Sequence, residues 1–117
     1  MYICISRSLP LRLVFLCDIG FEAIPRGTIF SHPYGISINP KTKIGKNCNI
    51  KQGVTIGSRA RPKRLDEAPA IIGDNVFIGC NASVLGPVTI GDNAIIGAHA
   101  LVLADVPAYT VVKGVWK

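Results

Sequence analysis

The stretch AIIGDNVFIGCNASVLGPVTIGDNAIIGAHALVLADV, residues 70–106, puts one bulky aliphatic side chain at every sixth position: Ile72, Ile78, Val84, Ile90, Ile96 and Val102. Four residues after each comes a second apolar residue, in the order Val76, Ala82, Val88, Ala94, Ala100 and Val106. Gly73, Gly79, Gly91 and Gly97 directly follow four of the first set. A period of six is neither that of an amphipathic helix nor that of a half-buried strand. With 49% of the chain apolar, twelve filled slots out of twelve would arise by chance on the order of once in several thousand.

A hexapeptide repeat is a signature of a parallel β-helix, in which a short unit cannot bury its own apolar side and stacks on its neighbours. Six extended residues make a face roughly 20 Å long, and three such faces close a triangular coil of eighteen residues. Equivalent positions then lie above one another, Ile72 on Ile90, Ile78 on Ile96 and Val84 on Val102. Ladders of β-branched side chains suit parallel strands buried on their inner face. The expected fold class is therefore all-β.

The same phase continues upstream through Ile38, Ile44, Ile50 and Ile56, with Cys48 and Val54 at the second slot. Ile24, Phe30 and Ile36 also stand six apart, but the step from Ile36 to Ile38 breaks phase by two residues, so a bulge is expected there. A second interruption separates Ile56 from Ile72. There SRARPKRLDEAPA, residues 58–70, carries four basic residues, two acids and two prolines and reads as a protruding loop. The organisation expected is a lead-in segment over 1–21, helical or irregular, and one β-helix domain over 22–117 with its loop at 58–70. Within the lead-in, Ser8 and Pro10 are expected to start a short helix that ends near Gly20 and covers the open bottom of the prism.

Charge narrows the ligand class. The net charge of +6 comes largely from Lys41, Lys43, Lys46, Lys51 and the loop residues Arg59, Arg61, Lys63 and Arg64, an excess that favours anionic ligands. No aromatics are interleaved with these basics, which counts against single-stranded nucleic acid and leaves a phosphorylated small molecule as the better fit. The apolar run near the N-terminus is broken by Pro10 and Arg12 and is too short to span a bilayer, so no membrane association is expected. Cys4, Cys17, Cys48 and Cys80 show no CxxC spacing, and the simpler setting is a reducing, cytoplasmic one.

Beyond the bare repeat, SHPYGISINPKTKIGKNCNI (31–50), KQGVTIGS (51–58), the 37-residue stretch quoted above and TVVKGV (110–115) follow one another in an order that resembles the left-handed β-helix domain of hexapeptide acyltransferases, in the serine acetyltransferase branch. That resemblance implies left-handed coil connections, an exception to the right-handed rule for parallel crossovers. It also implies an acetyl-CoA-dependent O-acetyltransferase working as a homotrimer, with active sites shared between subunits and no metal.

The chain has two histidines, His32 and His99. His32 lies at the phase break and need not point inward, and an imidazole can accept a proton from a hydroxyl near neutral pH. The resemblance implies the same, since His32 matches the position of the family's general base. Glu22 resembles the acidic residue that orients this base or holds the substrate amine. His99 occupies an outward repeat position and reads as a surface residue. An oxyanion needs donors, and the backbone N–H groups at Gly57-Ser58, Gly79-Cys80 and Gly97-Ala98, taken as corresponding turns, are the candidates. In the family the positions of Ser58, Cys80 and Ala98 line the groove for the pantetheine arm of acetyl-CoA. A metal site is not expected, because the two histidines are far apart in sequence.

Two departures from the family pattern bear on function. The segment between Glu22 and His32 is shorter, and Ala68 stands where the family has a histidine that helps bind serine. The acceptor is thus a hydroxyl of serine or of a sugar. The reading from another class is a catalytically silent β-helix scaffold.

Overall fold

The computed structural model describes residues 17–19, 24–59 and 70–117. Among these the chain forms fourteen short strands and no helix: β1 (Asp18–Ile19), β2 (Ile29–Phe30), β3 (Ser37–Ile38), β4 (Lys43–Ile44), β5 (Asn49–Ile50), β6 (Thr55–Ser58), β7 (Ala70–Ile72), β8 (Phe77–Ile78), β9 (Ser83–Gly86), β10 (Val88–Ile90), β11 (Ile95–Ile96), β12 (Leu101–Val102), β13 (Val111–Val112) and β14 (Val115–Trp116). They make three parallel sheets: a six-stranded face β1-β3-β6-β9-β12-β14, a three-stranded face β10-β7-β4 and a five-stranded face β13-β11-β8-β5-β2. Each coil runs from the three-stranded to the five-stranded to the six-stranded face. Val106, bridged to Ile90, continues the three-stranded face. The fold is a left-handed parallel β-helix.

Register follows the repeat. Ile72 pairs with Ile90, Ile78 with Ile96 and Val84 with Val102, and the twelve repeat residues named above are all buried, as is Ala70. Burying such a side chain contributes about 1.5–3 kcal/mol, so the ladder supplies the stability that strands of two to four residues cannot supply alone. Ile38, Cys48, Ile50, Val54 and Ile56 extend it downward, while Ile24 and Ile44 pack against it half-buried. At the top, Trp116 lies over Val102 and its indole Nε1 donates to the Asp105 carbonyl at 2.9 Å.

The Gly-Asp-Asn run that occurs at 73–75 and at 91–93 has a reason at each position. Asn75 and Asn93 turn the corner in the left-handed region, with φ 56° and 60°, which Asn tolerates better than most residues. The carboxylate Oδ1 of Asp92 accepts the N–H of Asp74 at 2.7 Å, and that of Asp74 accepts the N–H of Lys46 at 2.7 Å, tying each coil to the next. Gly73 is there because the coil above comes too close: a Cβ would stand 2.9 Å from the Asp92 backbone nitrogen.

Two expectations are corrected. Most of the expected N-terminal helix lies outside the described residues, but its described part, 17–19, is extended. β1 pairs with β3, Asp18 against Ser37 and Ile19 against Ile38. The prism therefore includes residues before position 22. Ser58 and Ala70, expected as loop ends, are strand residues of β6 and β7; residues 60–69 lie outside the described set.

Candidate functional site

The bulge anticipated near Ile36 is an insertion. β2 pairs with β5 twenty residues on, Ile29 with Asn49, whereas β3 pairs with β6 eighteen residues on, Ser37 with Thr55. The corner between the five- and six-stranded faces thus holds two more residues in this coil than in the coil above. Ser31-His32-Pro33-Tyr34-Gly35 absorbs them, and His32 and Tyr34 are pushed out to the surface.

Hydrogen bonds fix what stacks on what along this edge. The N–H of Gly53 donates to the Tyr34 carbonyl at 2.8 Å, just as Asn81 donates to Gln52 and His99 to Cys80, each at 2.9 Å. Tyr34, Gln52, Cys80 and Ala98 therefore hold equivalent places in successive coils, and His32 stands beside the lowest of them. His32, Cys80 and Ala98, singled out separately by sequence, lie along one edge. Gly79 and Gly97 precede the latter two, and Gln52 and Tyr34 join them although sequence reading passed them over; the available signal was that each stands two residues before a buried slot, Val54 and Ile36, as Cys80 and Ala98 stand before Ala82 and Ala100.

Gly57 and Ser58 do not join this edge. They sit in β6 opposite Leu85 and Gly86, at the end of the six-stranded face where the chain leaves for the three-stranded one. Sequence reading took the three glycine turns as corresponding; the structure assigns them to two different edges. It also removes two of the expected oxyanion donors. The N–H of Gly79 is bonded to the Ile96 carbonyl at 2.7 Å and that of Gly97 to the Val112 carbonyl at 2.9 Å, so both serve the stacking of coils.

His99 is exposed and adopts φ 59° at the corner place that Asn81 fills one coil below, with φ 58°. Its position is explained by the turn. Glu22 lies outside the described residues, as do Arg61, Lys63, Arg64 and Ala68; Arg59 is described and exposed. Cys80 is half-buried, while Cys17 and Cys48 are buried. The Cys48 thiol reaches the Gly73 carbonyl at 3.1 Å. Burial pushes it above its ordinary pKa, against a hydrogen bond with the Val76 backbone and with the Asp74 and Asp92 carboxylates adding to the rise. Among the described residues no group of three or more His, Cys, Asp or Glu side chains could hold a metal ion, and no helix is long and apolar enough to cross a membrane.

With a repeat-built prism and a histidine thrust out of it, the chain can be placed by comparison. Residues 69–104 match the bacterial transferase hexapeptide (six repeats) family, and the chain belongs to the hexapeptide-repeat proteins with a left-handed β-helix. Within that class the relatives it matches are serine acetyltransferases. That of Staphylococcus xylosus is 43% identical over 94 residues, 79% of this chain and 42% of the relative. The solved serine acetyltransferase of Neisseria gonorrhoeae superposes with a TM-score of 0.78 at 37% identity, over 89% of this chain and 40% of that one. A solved serine acetyltransferase in complex with CoA superposes with a TM-score of 0.73 at 32% identity, over 86% of this chain and 40% of that one. The chain spans less than half the length of these relatives.

Proposed function

We propose that this chain is a serine O-acetyltransferase-like enzyme that transfers the acetyl group of acetyl-CoA to a hydroxyl acceptor, with His32 as general base. The observation that carries this reading is the exposed His32, lifted out of the repeat by a two-residue insertion and sharing one prism edge with Cys80 and Ala98. The imidazole takes the proton of the acceptor hydroxyl as that oxygen attacks the thioester carbonyl and the CoA thiolate departs, a role that needs reach to the hydroxyl. The small side chains of Cys80 and Ala98 leave a shallow edge that suits a narrow flexible arm. Acetyl-CoA supplies the activated acyl group when bound, and its anionic part matches the positive charge of the chain. Glu22 is assigned to orient the base or to hold the acceptor's amine.

We assign the active unit as a homotrimer with its site between two chains. The reading is supported by the division of candidate residues between two prism edges, His32, Cys80 and Ala98 on one and Gly57 and Ser58 on another. An arrangement in which one edge faces the other across neighbouring prisms unites them. Serine is the first acceptor to test, because the relatives are serine acetyltransferases. Ala68, in place of a histidine, is the reason to test sugars beside it. A cytoplasmic location accords with the lack of CxxC spacing among the cysteines.

The test is CoA thiol release from acetyl-CoA with L-serine and with a panel of sugars, comparing wild type with His32→Ala. Turnover with one acceptor class, lost in the variant, is the expected result and names both substrate and base. CoA binding without turnover on any acceptor identifies a silent scaffold instead. Mixing His32→Ala chains with Ser58→Trp chains, altered on the two different edges, is expected to restore part of the activity if the sites are shared.

A further inference from the structure

The inserted step that carries His32 is held from both sides by side chains that the repeat does not require. On one side the Ser31 Oγ donates to Oδ1 of Asn49 at 3.3 Å, in a half-buried position. On the other the Cys17 thiol donates to the Pro33 carbonyl at 3.0 Å, and this contact is buried. Ser31 and Pro33 are the two chain neighbours of His32. Within the insertion the backbone bonds are those of the Tyr34 N–H to the His32 carbonyl and of the Gly53 N–H to the Tyr34 carbonyl, each at 2.8 Å, and the side-chain contacts at Ser31 and Pro33 add to them. Cys17 reaches Pro33 because β1 pairs beneath β3, where the Asp18 N–H also bonds the Ile36 carbonyl at 2.8 Å. At 6% exposure, Cys17 offers its proton to that carbonyl with little competition from water. A thiol is a weak donor, and a contact of this kind sets geometry more than it sets stability.

We infer that Cys17 and Asn49 are positioning residues for His32, one holding the backbone carbonyl of the residue after it and the other the side chain of the residue before it. The inference rests on the reading of His32 as the base. Neither residue touches the acceptor; each acts through the placement of the imidazole, and displacement of a catalytic group by about an ångström can cost as much as a hundredfold in rate. β1 thereby becomes part of the working site.

The test uses the full chain in four variants. Cys17→Val and Asn49→Leu fill similar space without the hydrogen bond, and Cys17→Ser and Asn49→Asp keep a donor or an acceptor in place. Two readouts are taken: kcat and KM with acetyl-CoA and the acceptor that supports turnover, and the proton NMR resonances of the two imidazoles, assigned with His99→Asn. Expected for each apolar variant is a kcat lowered by about tenfold or more, an unchanged KM for acetyl-CoA, and a shifted His32 resonance beside an unmoved His99 resonance. The polar variant should recover most of the rate and the resonance. Each residue is judged on its own pair. An apolar variant that keeps the wild-type His32 resonance overturns the assignment for that residue, whatever its rate. If instead His32→Ala retains full activity, the base reading fails, while the resonances still decide whether the imidazole is held. Asn49 faces outward from β5, so its variants remain informative even if Cys17→Val does not fold.

Discussion

His32 and His99 occupy the same edge of the prism and owe their places to opposite causes. His99 sits where the repeat needs a residue in the left-handed region, and an asparagine does that work one coil below. His32 sits where the repeat has been broken by two extra residues, and the turn geometry of the other coils does not call for it. The same contrast separates the coils above residue 70 from those below residue 59. In the upper coils each residue of the Gly-Asp-Asn run is accounted for by stacking. In the lower ones several residues serve no repeat function, and those are where chemistry can be placed.

The strongest test of this contrast is to exchange the two histidines' fates. His32→Ala should lower the acetyl transfer rate by between about a hundredfold and ten-thousandfold, whereas His99→Asn should leave it within about twofold, both read from initial rates of thiol release. Equal losses from the two would break the comparison. A smaller effect is expected on stability from the stacking glycines. Gly73→Ala drives a Cβ against the backbone of the coil above and should cost about 1–3 kcal/mol, measured by denaturant unfolding. Gly57→Ala, whose Cβ would meet only Leu85 Cδ2 at 4.0 Å, should fall within about 0.5 kcal/mol of wild type.

Thr42 sharpens the lower half of the comparison. It holds the inward slot that Ala70 and Val88 hold above it, is 2% exposed, and its buried hydroxyl oxygen has no hydrogen-bond partner among the described residues. Thr42→Val removes that unsatisfied group and should raise stability by on the order of 1 kcal/mol; a loss would mean that the hydroxyl is used. Last and smallest is a pH effect. Because burial raises the Cys48 thiol above its ordinary value near 9.0, the folded chain retains a proton that the unfolded chain releases. Its contribution is fully present below about pH 9 and declines as pH rises through the folded value. Cys48→Ala should flatten that alkaline fall in thermal unfolding scans.

How far the sequence could be read follows the same division. The upper coils were legible because one residue type recurs at one spacing, and Ile72, Ile78 and Val84 could be stacked on Ile90, Ile96 and Val102 before any coordinates. The bulge at His32 was legible as a loss of phase between Ile36 and Ile38. What could not be read was which face a residue lies on once a loop intervenes. Gly57 follows an isoleucine as Gly79 and Gly97 do, but the loop before Ala70 hides the count of faces, and Gly57 falls on a different edge. β1 was missed because Cys17-Asp18-Ile19 stands too far from the repeat for phase to reach it. Its pairing with β3 and the Cys17 contact with Pro33 are long-range and leave no mark in local spacing.

One consequence concerns the single tryptophan of the chain. Trp116 lies in β14, paired in register with Val102, and its indole nitrogen is tied to the Asp105 carbonyl. In a molecule whose coils touch only their neighbours, loss of structure can start at an end and travel like a zipper. The protein therefore carries an intrinsic fluorophore on one rung of that zipper, and fluorescence reports the local opening of the rung while circular dichroism reports the column as a whole.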